Sequence, residues 1–250
     1  MASTTATPGT TTTTTTAMAT ITTTDEPAAL YRLLAWLSPA YPVGAYTYSH
    51  GLETAVEEGR VRDRAGLVDY VATVLHAGAG RVDGALVAAA WRAADGGDDA
   101  ALDQVAVLAA AWRGTAETAL ETMQQGTAFL AVTLAAWPEP CLAAFAARHP
   151  RRLAHPVAFG AAAGFHGIPL RPALSGWLAA FAANLVSAGV RLVPLGQTDG
   201  QVATAALQPV VEAAADAATG ADLDAIGTAA PMLDLLSMRH ETQYTRLFRS

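Results

Sequence analysis

The chain has 250 residues and a mass of 25.7 kDa, with 22 acidic residues against 15 basic ones and a formal charge of −7. Every basic residue is Arg, so the sequence lacks the phosphate-binding Lys of a P-loop, the strand Lys of a protein kinase and the amine of Schiff-base catalysis. The acidic balance argues against a general nucleic-acid binder, and a lone Cys141 without a disulfide partner points to a reducing, intracellular setting.

Residues 1–24 form a Thr-rich run with almost nothing to bury, and are expected to be a disordered tail ahead of one helical domain over 25–250. No basic segment precedes an apolar one there, so a secretory leader is not expected. Ala supplies roughly a quarter of the chain and aromatics 7%, which predicts thin, Ala-rich helix contacts.

The first helix is expected to open at Pro27 and to carry Leu30, Leu33, Leu34 and Leu37 as its apolar stripe, with Ser38-Pro39 ending it. Val61-Arg62-Asp63 leads into a second pattern through Leu67, Val71, Val74 and Leu75. Another runs over Leu86–Trp91, closed by Gly96-Gly97. Asp98 and Asp99 then open a helix through Leu102, Val105 and Leu108. Thr115–Trp137 reads as long and amphipathic, with Glu117 and Glu121 at i, i+4 beside Arg113 and Pro138 closing it.

Further helices fit Cys141–Arg148, Val157–Phe165, Pro172–Ser187, Gln201–Ala218 and Pro231–Leu247. Period-2 alternation is confined to short pieces such as Val190–Val193, so the expected class is all-α with about ten helices. The 19 uncharged residues from Pro172 to Val190 meet the length of a membrane span. Their Ala, Gly, Ser and Asn content favours a buried core helix instead, one that lets neighbouring helices approach closely.

Three segments stand out against this background. Ser38–Glu53 packs Tyr41, Tyr46 and Tyr48 among Pro and Gly between two helices, a pattern equally suited to a rigid connection and to a contact surface. Val193–Gln201 makes a turn at Pro194 and Gly196, with Thr198 or Asp199 placed to cap the next helix and Gln197 left unexplained. Ser237–Ser250 is basic on an acidic protein, and its Arg, Tyr and Phe suit a terminus that docks. The six His residues form no i, i+4 pair, although His50, Glu53 and His240 offer a metal site across a dimer as an alternative.

Together these segments resemble the urease accessory protein UreF family. The residues that carry the likeness are Ser38-Pro39, Pro42-Val43-Gly44, Tyr46, Ser49, Gly51-Leu52-Glu53, Pro194-Leu195-Gly196-Gln197, and His240-Glu241 through Ser250. The likeness runs from about Leu30 to Ser250. It implies an all-α cytoplasmic homodimer with no catalysis and no cofactor of its own, and without membrane or nucleic-acid binding. Its implied partners are UreD (UreH in some systems), the GTPase UreG and the urease apoprotein, to which the complex delivers nickel under GTP hydrolysis that UreF regulates. The resemblance also implies the partner-binding residues: Tyr46, Tyr48, Ser49, Glu53 and Gln197, with Arg239, His240, Glu241, Tyr244, Arg246, Leu247, Phe248 and Arg249 in the tail. In this picture Arg239–Ser250 becomes ordered only against UreD, as folding coupled to binding.

Overall fold

Local capping chemistry sets most helix boundaries in the computed structural model, which describes residues 1–2 and 26–249. Apart from residues 1–2, the expected disordered tail lies outside the described residues. Helix α1 (Glu26–Trp36) stops just short of Ser38-Pro39, and a 3-10 turn follows at Ala45–Thr47 before the short α2 (Leu52–Glu57). Then come α3 (Arg64–Ala77), α4 (Ala79–Asp95), α5 (Asp99–Ala111), α6 (Ala116–Ala136) and α7 (Pro140–Arg148). Asp63, Asp98, Thr115 and Glu139 precede α3, α5, α6 and α7, and each accepts the backbone N–H three residues on. The chain continues through α8 (His155–Phe165), α9 (Leu170–Leu192), α10 (Gln197–Thr219), a second 3-10 turn at Leu223–Ala225, and α11 (Pro231–His240). The described residues hold eleven α-helices and no strand, as an all-α reading requires.

Helix α8 is the centre. Pro156 through Gly164 are all buried, so this helix is apolar on every side and is covered chiefly by α4 and α6. Its closest neighbour is α4. A Cβ added at Gly160 would lie 2.5 Å from the Val87 carbonyl oxygen and 3.1 Å from Ala90 Cβ, so only Gly permits this approach. Beside the pair, Trp36, Phe129, Phe159 and Trp177 interlock, with Trp36–Phe129 and Phe159–Trp177 ring centres 5.7 and 4.9 Å apart.

Several elements differ from expectation for identifiable reasons. In α1 the inward residues are Ala29, Leu33 and Trp36, whereas Leu30 and Leu34 face out, because Trp36 claims the core face. Helix α4 is longer than Leu86–Trp91, and α10 starts at Gln197 rather than Gln201. Gly196 stands at the α10 N-cap, and Asp199 in the first turn accepts its backbone N–H at 3.4 Å, so the expected capping role falls to Asp199. Val190–Val193 is the end of α9, not a strand. The Pro172–Ser187 helix extends to Leu170–Leu192, and that helix is long and apolar enough to cross a membrane. Half of its most apolar stretch is buried, and it packs on α3, α4 and α10. The last helix ends at His240, seven residues before Leu247.

Candidate docking site at the loop and C-terminal segment

The turn before α2 is built from backbone geometry that few side chains accept. His50 and Gly51 take φ values of 53° and 76°, and a Cβ on Gly51 would sit 3.0 Å from the Ser237 backbone nitrogen. This close seat of α2 on α11 turns Glu53 inward, where it is buried.

Glu53 and Glu117 then grip the chain end from two sides. The fully buried His240 directs Nε2 at Glu53 Oε2, 3.1 Å away, and Nδ1 at Glu117 Oε2, 2.9 Å away. Both ring nitrogens therefore face carboxylate oxygens. Beyond His240 the chain leaves the helix and turns back. The backbone N–H groups of Leu247 and Phe248 donate to Glu53 Oε1 and Oε2 at 2.6 and 2.9 Å, and Arg246 reaches Glu117 at 3.1 Å. Gln243 accepts from Thr54 at 2.9 Å.

The end of the segment lies on the Tyr loop. Arg249 N–H donates to the Thr47 carbonyl at 2.7 Å, and Phe248 is buried with the Arg191 guanidinium 4.4 Å from its ring centre. Arg191 donates in turn to the Tyr46 carbonyl at 2.9 Å. The described tail is thus already seated on its own chain, which differs from the picture of a segment ordered only by UreD. Two buried carboxylates supply acceptors that offset its ordering entropy.

The thirteen residues singled out by the resemblance divide accordingly. Tyr46, Tyr244 and Leu247 are exposed, with Tyr46 63% and Leu247 62% accessible. Arg239 is exposed on Glu58 at 2.7 Å, Arg246 and Arg249 have outer faces free to solvent, and Glu241 is exposed at the end of α11. Tyr48, Ser49, Glu53, His240 and Phe248 are interior, and Tyr48 donates to Gln124 at 2.9 Å. Burial and the nearby Glu121 charge raise the Tyr48 phenol pKa, with Arg249 opposing. Gln197 is exposed at the start of α10, and no described contact joins it to the loop or tail.

Arg113, which the sequence sets beside Glu117 and Glu121, has other partners. That Arg turns to Asp83 at 2.7 Å and Thr122 at 3.1 Å, and Glu121 takes His50 at 3.0 Å. Residues 117, 121 and 125 therefore form a buried polar stripe on α6, and their i+4 spacing in line with Phe129 was the signal in the sequence. Arg191 gave no such signal. Within one chain the three residues of the alternative metal site are divided, His50 on Glu121 at 3.0 Å and Glu53 on His240 at 3.1 Å. The described residues hold no group of three or more His, Cys, Asp or Glu poised for an ion.

The same stripe sets two opposed titrations. Burial lowers the His50 pKa, but the Glu121 charge and hydrogen bond outweigh it, so the net shift is upward. That contribution is present at acid pH and fades as pH rises through the raised value. His155, hydrogen-bonded through Nδ1 to Gln125 at 2.8 Å, is pushed by burial and then by Arg113 to about 3 from 6.5. Its contribution is complete above pH 6.5 and drains away as pH falls towards 3. His155→Asn keeps a donor for Gln125 but takes up no proton. Urea titrations should show its stability falling less than the parent's between neutrality and about pH 4, by about 3 kcal/mol.

Fold and site together define an all-α protein that carries its C-terminal segment latched beside a Tyr-bearing loop. The UreF family model matches residues 61–208. A urease accessory protein UreF from Granulibacter bethesdensis is 67% identical over 223 residues, 89% of this chain and 94% of that one. Those from Rhodopseudomonas palustris (strain HaA2) and Methylorubrum populi are 52% and 53% identical, covering 90% and 88% of this chain and 95% and 98% of theirs. The chain belongs to the UreF family.

Proposed function

We propose that this protein is a non-catalytic adaptor of urease maturation. It works in the cytoplasm as a homodimer that captures UreD through the loop–tail surface. The assembly then recruits the GTPase UreG to urease apoprotein and couples GTP hydrolysis to nickel insertion. The names of the relatives support the maturation role. One observation carries the choice of surface: the Arg249–Thr47 backbone bond sets tail and loop side by side, with Tyr46, Tyr244 and Leu247 open to solvent. Exposed Tyr and Arg around an apolar centre is the composition of a binding hot spot.

Truncation after Glu241 tests this, because it removes the returning segment and leaves α11 with its buried His240. Co-expression with UreD and UreG, followed by size-exclusion chromatography with light scattering, should give the assembly for the full chain and none for the truncated one. Circular dichroism should show equal helicity in both. Undiminished assembly of the truncated chain would refute the assignment.

A further inference from the structure

The ends of α3 and α10, the start of α4 and the loop carrying the second 3-10 turn enclose a cavity of about 290 Å³. That volume is near the lower end for small-molecule sites. The cavity shares no lining residue with the Tyr loop, the tail or the polar stripe of α6.

Short side chains make this space, and backbone ties keep it. Ala85 of α4 and Ala214 and Ala217 of α10 line it without filling it. At neighbouring positions the helices are already in contact. A Cβ on Gly84 would lie 3.0 Å from Ala218 Cβ, and one on Gly80 would lie 2.7 Å from Leu75 Cα. Arg92 donates to the Thr219 carbonyl, and the Ala229 N–H donates to the Ala77 carbonyl at 2.8 Å, tying the loop back to α3. Helix α4 therefore has no room to move in and close the gap.

The wall is apolar and the rim is charged. Leu75, Ala85, Ala214 and Ile226 belong to the wall, while Arg81, Asp222 and His76 bring the polar groups. Arg81 and Asp222 are exposed, so a ligand entering from solvent can reach both. Asp222 Oδ1 accepts the Asp224 N–H at 3.0 Å, which leaves its second oxygen unengaged. Neither Arg81 nor Asp222 has an ion-pair partner among the described residues. A base and an acid thus border one apolar space without pairing with each other.

Opposite charges held apart in this way select the ligand. A simple carboxylate would gain Arg81 but meet Asp222, and a simple amine would face the reverse. A divalent cation finds no group of three ligands among the described residues. The His76 ring can donate or accept, so it favours neither sign. A zwitterion satisfies both charges at once, and an aliphatic side chain on it would displace water from the wall.

We infer that this cavity binds a small aliphatic α-amino acid. Its carboxylate takes Arg81, its ammonium takes Asp222, and its side chain lies against the Ala-lined wall. The inference is independent of the maturation role.

The test uses the full chain and three probes that share one branched side chain: L-leucine, 4-methylvalerate without the ammonium, and 3-methylbutylamine without the carboxylate. The readout is the Ile226 methyl signal in proton–carbon correlation spectra, assigned with Ile226→Val, with the buried Ile168 as the internal control. Leucine should move Ile226 saturably and leave Ile168 still, with a dissociation constant of order millimolar for a ligand of about nine non-hydrogen atoms. Each of the other probes should bind about tenfold more weakly or not at all. Arg81→Gln and Asp222→Asn should each weaken leucine about tenfold at unchanged helicity, since both side chains are exposed and Asn still accepts the Asp224 N–H. Ala217→Leu, which fills the space from its rim, should abolish the shift. An Ile226 signal unmoved by leucine, or moved equally by either single-charge probe, would overturn the assignment. So would parental affinity in Arg81→Gln and Asp222→Asn.

Discussion

Replacing Glu53 with Ala should release residues 242–249 from the body of the protein while the eleven helices stay formed. The side chain is 7% exposed and accepts from His240 and from two backbone N–H groups, three charge-assisted bonds to one carboxylate. Its removal leaves His240, itself fully buried, facing Glu117 alone, and strands the amides of Leu247 and Phe248. Losing one side of such a buried pair costs about 3–5 kcal/mol. That is as much as the docking of a short segment can supply, so the loss should appear as local opening rather than global unfolding. Native-state hydrogen exchange reads it directly: the Leu247 and Phe248 amides should lose their protection, and those of α8 should keep theirs. Glu53→Gln should behave similarly, because its amide would set a donor against a backbone N–H where the carboxylate had an acceptor.

Gly160→Val should be among the most damaging single changes in the fold, at about 4 kcal/mol or more. Even the first added carbon would lie 2.5 Å from the Val87 oxygen, and that oxygen belongs to the backbone of α4, which cannot rotate aside as a side chain would. The helices must separate instead. Their contact is the most extensive in the molecule and is lined by Ala90, Ala161 and other residues too small to refill a gap. Thermal unfolding should report the effect, with Gly160→Ala intermediate. A Gly160→Val protein of parental stability would show that α4 and α8 are not held this closely.

Features of short range were legible in the sequence. Asp63, Asp98 and Thr115 cap helices as their side-chain chemistry demands, and Ser38-Pro39 ends α1, because each outcome depends on neighbours within four residues. Features decided at long range were not. Leu30 and Leu34 give as good a stripe as Ala29 and Leu33, and only the remote partners of Trp36 select between them. The apolar period of the last helix continues to Leu247, yet the chain departs at His240 because Glu53, 187 residues away, offers a better set of bonds. The resemblance marked the loop and the tail as candidate partner-binding segments. It did not reveal that they meet through Glu117 and Arg191, nor that five of the thirteen marked residues lie inside.

The central claim is that partners dock on the loop and tail together. Hydroxyl-radical footprinting of the chain, free and bound to UreD, tests it most directly, since Tyr46, Tyr244 and Leu247 are exposed and spread over both segments. All three should be oxidised readily in the free protein and protected together in the complex. Equal oxidation of the three in both states, with protection moving instead to the exposed Leu30, Tyr31 and Leu34 of α1, would contradict it.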